Sequence, residues 1–583
     1  MNEVWNLDPI YKGFDDPAYQ ADLAQMKQLV VEFNAFAEQL STLEPLEGLR
    51  RGTQLREQMA DLSTLGSYAS LRSATNAKDP EPGSWMGQIM SIRSGTAAAM
   101  ATYNAWIVSL PGLMELVRSD EYLRNYEFYF AGMLDSAQYQ MNSQAEAVMA
   151  KLGMSGGSAW GKLQSYLTST APVHYRGTVT NLSSIRNLAY DADPQVRKDA
   201  YEAELNCYEG IKEPVAHALN AIKLETISQC QLRGYTSPLD RTLLHSDLKR
   251  ETLEAMLGAM DEYLPKFWQY LKTKAKVLGH ENGLPWYDLF APMGNSSTTF
   301  TTEEAKEYLL KQFSTFDEEL TQMVATAFDD AWIDFFPRDG KRGGAFCSSI
   351  HKIGQSRILT NYDGMFTDVV TLAHELGHAF HNQCIRDHLP LNRGYSMPVA
   401  ETASTFNECV VMNAAIKSAA NKDEQIALIE SQLQDATQII CDIYSRYRFE
   451  TMVFENRESK FMNADTLCGY MLQAQKQSYG DGLDHNCLHP YMWVCKNHYY
   501  GPTFYNFPYA FGGLFARGLY AQYEKEGAAF VPKYKKLLYT TPIATAEDVA
   551  KVADIDLTDK AFWRAALQTI ADQIDLFCQL VQE

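Results

Sequence analysis

No cysteine occurs in the first 206 residues of this 583-residue chain, and the ten that follow, from Cys207 to Cys578, include no C-x-x-C pair. A chain this long needs no disulfide staples, so free thiols in a reducing compartment are expected. Positive charge is short as well: 51 Lys and Arg against 72 Asp and Glu give a formal charge of −21. Nucleic acids and anionic membranes reward the opposite balance, so neither is expected as a partner. No apolar run approaches the length of a membrane span. The opening MNEVWNLDPIYKGF has no basic start leading into an apolar stretch, so no secretory signal is expected, and the expected location is cytoplasmic.

With 46% apolar residues the chain has ample material for a large core. The periodicity is mostly helical. Leu23, Met26, Leu29, Val30, Phe33 and Phe36 recur at helical spacing over Asp22 to Leu43, and Leu55 to Leu71 and Ile89 to Val108 behave alike. Asp79-Pro80-Glu81-Pro82-Gly83 and Gly153-Met154-Ser155-Gly156-Gly157 read as loops. The Thr-, Val- and Tyr-rich stretch from Leu163 to Leu182 predicts a small hairpin. Asp193-Pro194 then predicts a capped helix start, and helix runs through much of the region to about Lys276. Two short β-compatible runs follow, Arg342 to Ile350 and Arg357 to Tyr362.

Directly after them stands His374-Glu375-Leu376-Gly377-His378. Residues four apart share a helix face, so His374 and His378 can aim imidazole nitrogens at one zinc ion. Glu375 cannot point at the same spot, but it can reach the water that such a metal activates. Thr367 or Asp368 is the expected cap of this helix, and Gly377, costly inside a helix by about 1 kcal/mol, implies close approach of another backbone. A pair of core histidines is the plain alternative, since the motif alone recurs by chance. The third ligand decides. A metzincin-type extension requires Gly at 381 and His at 384, and the residues there are His381 and Cys384. Downstream, Glu401 and Glu408 are seven apart in AETASTFNE and share a face, so one can coordinate while the other steadies a ligand. Glu401 is favoured as the ligand and Glu408 as the support.

HELGHAFH followed by AETASTFNE closely resembles oligoendopeptidase F and, more distantly, the thimet oligopeptidase group of zinc metallopeptidases. The resemblance extends to Trp5-Asn6-Leu7, Arg233 to Ser237, Tyr287-Asp288-Leu289, Lys341 to Ala345 and the aromatic HYYGPTFYNFPYAFG from His498 to Gly512. It implies a mostly α, elongated multi-helix body with a deep substrate channel, a zincin-type helix at its floor and a small β-sheet nearby. It divides the chain into an N-terminal helical region (1–110), an oligoendopeptidase F-like N-terminal domain (111–190) and a metallopeptidase domain (191–583).

The implied activity is endopeptidase cleavage of short peptides, with one Zn2+ per chain held by His374, His378 and Glu401, and Glu375 as general base. Gly343, Gly344 and Ala345 resemble an edge strand that pairs with substrate backbone; an ordinary turn is the even alternative. His498 stands where the family has a histidine near zinc, and Tyr505 and Tyr509 follow as oxyanion-stabilising candidates. Gly501-Pro502 adds a residue to the family pattern and Pro508 replaces a non-proline. Two rivals remain. A carboxypeptidase would need a cation to hold the substrate carboxylate, and no Arg announces itself in the sequence; a binding protein would need a closed metal site.

Overall fold

The computed structural model describes residues 3–294 and 298–582. Helix accounts for 72% of the chain, roughly twice the share in an average soluble protein, as the periodicity predicts. Several boundaries differ from the expectation. The first helix is Pro17–Gln39, started by Asp16, whose carboxylate accepts from the Ala18 N–H, with Pro17 in the first turn. The predicted loop at Asp79 is instead a helix start: Asp79 caps, Pro80 opens the helix, and Pro80–Ser94 continues through Pro82 and Gly83. Proline in a first turn lacks an N–H that would be unpaired anyway, so it reads as a breaker only when its position is misjudged. The glycine loop after Ser155 shrinks to Gly156, between the helices Ser143–Ser155 and Gly157–Thr170.

The hairpin is present but shorter than predicted, with β1 (Val173–Tyr175) pairing antiparallel with β2 (Thr178–Thr180). The Asp193-Pro194 expectation holds: Asp193 caps a 40-residue helix, Pro194–Arg233, which ends at Gly234 in the left-handed region. The second sheet has three strands in the order β3-β5-β4, where β3 is Ile333–Asp334, β4 Phe346–Ile350 and β5 Gln355–Leu359. β5 runs parallel to β3 and antiparallel to β4. β4 is therefore an edge strand among the described residues.

Three apolar cores organise the helices. The largest gathers residues from Leu243 to Cys578 and contains the face of the HELGH helix. A second is built from Trp5 to Phe130 and reaches the sheet through Ile350 and Leu359. A third joins Ala171 to Ile222 with Phe449 to Tyr500. The N-terminal segment is fastened beside the sheet: the Asn6 N–H donates to Ala331, the Phe335 N–H donates to Glu3, and buried Arg357 donates to the Asn6 carbonyl. Among the described residues no helix is long and apolar enough to cross a membrane.

Candidate metal centre

His374, Glu375 and His378 lie on the helix Phe366–Cys384, whose Val369, Leu372, Ala373 and Leu376 face the core. The cap differs from the expectation. Phe366 is the first helical residue, and Asp368 reaches back from the first turn to accept from the N–H groups of Asp363 and Met365. Antiparallel support comes from the helix Thr402–Ser418. A methyl group on Gly377 would lie 2.4 Å from the Ala403 carbonyl oxygen and 2.6 Å from Ser404 Cα. This is the close backbone approach the sequence implies, and it sets Glu401 opposite the two histidines.

One donor atom each from His374, His378 and Glu401 falls within 4.8 Å of the others. Glu401 Oε2 is 3.3 Å from His374 Nε2 and 3.4 Å from His378 Nε2. Zinc bonds of 2.0–2.1 Å in a tetrahedron put ligand atoms about 3.3 Å apart, so the donor set fits that ion. Glu408 Oε1 lies 2.5 Å from His374 Nδ1; a proton donated there leaves the Nε2 lone pair free for a metal. Burial opposes charge on His374, yet Glu401 and Glu408 outweigh it and hold its pKa up at about 10. Burial likewise opposes charge on Glu401, while His374 and His378 pull its carboxyl down well below the usual range. The cluster thus stabilises positive charge where the donors converge.

Glu375 is 6% exposed, and its Oε2 has no protein partner. Burial pushes its carboxyl up, against the pull of His374 and His378. The result is a buried carboxylate oxygen without a partner beside three donors that could hold a metal.

His498, Tyr505 and Tyr509 come together: Tyr505 stacks on His498 at 5.7 Å, and the Tyr509 hydroxyl is 3.4 Å from His498 Nε2. Tyr509 is 38% exposed and sits one turn before Gly512, whose added methyl would lie 3.1 Å from Glu401 Cβ. Burial, then Arg446 and Lys496, push His498 down to about 4, and burial pushes Tyr509 up to about 12. Both are neutral near pH 7, with protons to donate. Gly343 and Gly344 are exposed, Gly344 has φ +79°, and Asn361 Nδ2 donates to the carbonyls of Arg342 and Gly344. Ala345 lines a cavity of about 520 Å³ together with His374 and Glu375.

His381 is a core residue, stacked on Tyr395 and bonded to Thr541 Oγ1 at 2.8 Å. Burial pushes the Cys384 thiol up to about 12 and Cys347 further, so neither is a thiolate near neutral pH. Sequence reasoning missed Ser404, whose hydroxyl donates to Glu401 Oε2 at 2.7 Å, and Asn407, which donates to the Ala373 carbonyl at 3.2 Å. The three-residue spacing of Ser404 from Glu401, about one helical turn, was the available signal for the first; none marked Asn407.

A profile for peptidase family M3 matches residues 187–569, and one for the oligopeptidase F N-terminal region matches residues 112–170. Oligopeptidase PepF of Bacillus subtilis (strain 168) is 24% identical over 601 aligned positions, covering 100% of this chain and 88% of that protein. Group B oligopeptidase PepB of Streptococcus agalactiae serotype III is 22% identical, covering 98% of this chain and 96% of its own. Among solved structures, a putative peptidase from Chlamydophila abortus superposes with a TM-score of 0.87 at 20% identity, over 99% of this chain and 98% of that one. The oligoendopeptidase-F structure from Enterococcus faecium gives 0.70 at 16% identity, over 96% and 99%.

Proposed function

The chain belongs to peptidase family M3, and from that premise we propose that it is a zinc-dependent endopeptidase acting on short peptides. The observation that carries this reading is the convergence of His374, His378 and Glu401 beside the unpartnered Glu375 carboxylate. Zinc held by those three residues would supply Lewis acidity, lowering the pKa of a water towards neutrality.

The chain's own groups do the rest. A peptide lies along the free edge of β4, where Gly343, Gly344 and Ala345 let its backbone approach, a form of β-augmentation supported by the strand order β3-β5-β4. Glu375 accepts the proton of the attacking water and later delivers it to the leaving amine nitrogen. Neutral His498 and the hydroxyl of Tyr505 or Tyr509 donate hydrogen bonds to the oxygen on which negative charge develops. Glu408 orients His374, and Ser404 orients Glu401. Ten free cysteines support the cytoplasm as the compartment.

The test is hydrolysis of an internally quenched, end-blocked peptide of about ten residues, long enough to lie as an extended strand. Internal cleavage is expected, to be abolished by a chelator and restored by zinc. No cleavage by zinc-loaded protein would overturn the reading, and cleavage confined to peptides with a free C-terminus would favour a carboxypeptidase. A second prediction concerns Glu408: its replacement by Ala is expected to weaken zinc binding about 10- to 100-fold. Competition against a chelator measures this, and an unchanged affinity would remove Glu408 from the site.

A further inference from the structure

The cavity beside His374 and Glu375 contains two polar side chains with unmet bonding. Its apolar wall is formed by Phe366, Val370, Met412 and Leu428, and Gln432, Asp435 and Arg517 interrupt it. Arg517, on the helix Phe507–Glu526, is 9% exposed. Its Nε has no partner, and among the described residues no hydrogen bond or ion pair ties its guanidinium to the protein. Gln432 is 5% exposed and its Oε1 also lacks a partner. Asp435 follows three residues later on the same helix, Lys422–Thr437. Burial pushes its carboxyl up to about 6, with Glu408 adding to the rise and Arg517 opposing it. These charges, all lining the cavity, therefore sense one another.

Building on the peptidase reading, we propose that this cavity is a specificity subsite for a residue flanking the cleaved bond, selecting a carboxamide side chain, glutamine or asparagine, through Arg517 from one helix and Gln432 and Asp435 from another. Arg carries only donors, whereas a carboxylate and an amide oxygen accept. A carboxamide has both halves: its carbonyl accepts from Arg517 while its NH2 donates to Gln432 Oε1 and Asp435. A carboxylate head would satisfy Arg517 but would face Asp435 and Glu408 and leave Gln432 Oε1 unpaired. An ammonium head would pair with Asp435 and Gln432 Oε1 but would meet the Arg517 cation and, having no acceptor, leave the Arg517 donors unpaired. A purely apolar side chain would cover the walls and leave every polar group without a partner, which is costly once water is displaced.

The experiment uses zinc-loaded protein and end-blocked, internally quenched peptides that differ only at the two residues flanking the bond, with cleavage positions read by mass spectrometry. Gln, Asn, Glu, Lys and Leu are placed at each position in turn. At one of the two positions Gln or Asn is expected to give a kcat/KM at least about tenfold above Glu, Lys and Leu. Arg517→Met is expected to bring that ratio close to one. Gln432→Leu, which removes no charge, is expected to lower it as well and covers the case in which the Arg517 variant fails to fold. Cleavage without a carboxamide preference in the wild-type protein, or an unchanged ratio in either folded variant, would overturn the proposal. Absence of any cleavage would overturn the peptidase reading first and this subsite with it, a result distinct from cleavage without preference.

Discussion

Glu375→Gln is expected to lower kcat by roughly 10²–10⁴-fold, the range general-base removal produces, while zinc content stays at one ion per chain. The substitution keeps the side-chain shape, so the helix Phe366–Cys384 and the placement of His374 and His378 are unaffected. What disappears is the ability to take a proton, because an amide oxygen near neutral pH is a very weak base. The unpartnered Oε2 matters here: among the described residues no second carboxylate or imidazole is bonded to Glu375 that could substitute for it. Metal analysis beside steady-state kinetics makes the check. Turnover within about tenfold of wild type, with zinc retained, would take the proton-transfer role away from Glu375.

Gly377→Ala is expected to destabilise the protein and loosen the metal site together. Alanine ordinarily stabilises a helix interior by about 1 kcal/mol over glycine. Here the added methyl lands 2.4 Å from the Ala403 carbonyl and 2.6 Å from Ser404 Cα. Both are backbone atoms that cannot swing aside. Overpacking of this kind costs about 1–3 kcal/mol, which more than offsets the alanine gain over most of that range, so the net expectation is a loss of up to about 2 kcal/mol. Relief requires the helix Thr402–Ser418 to move away, and Glu401 precedes it directly. Zinc affinity should therefore fall even in molecules that remain folded. Thermal unfolding of the metal-free protein and a zinc titration separate the two effects, and a raised melting temperature would sink the packing argument.

The convergence of the candidate donors was legible in the sequence because it is local. His374 and His378 are related by one helical turn, and Glu401 and Glu408 by two. The reason for Gly377 was legible too, since a helix tolerates glycine where something crowds it. The apolar repeats gave the helical class, and Asp193-Pro194 marked its helix correctly. One boundary failed where proline was read as a breaker: at Asp79-Pro80 it occupies a first turn. Arg517, Gln432 and Asp435 were invisible for a different reason. They reach one cavity from two helices, and 82 positions separate Asp435 from Arg517; no spacing rule brings them together. Strand β3 escaped notice because two residues, Ile333–Asp334, carry no periodicity.

Glu3 and Asn6 are bonded to Phe335, Ala331 and Arg357, the last pair 351 positions apart. On a ribosome the first residues of this chain emerge long before their partners, and closing so long a loop is slow compared with forming local helices. The sheet that carries the β4 edge is thus completed late, after most of the chain exists. A nascent fragment carrying the early helices would have no finished groove in which to cleave its neighbours.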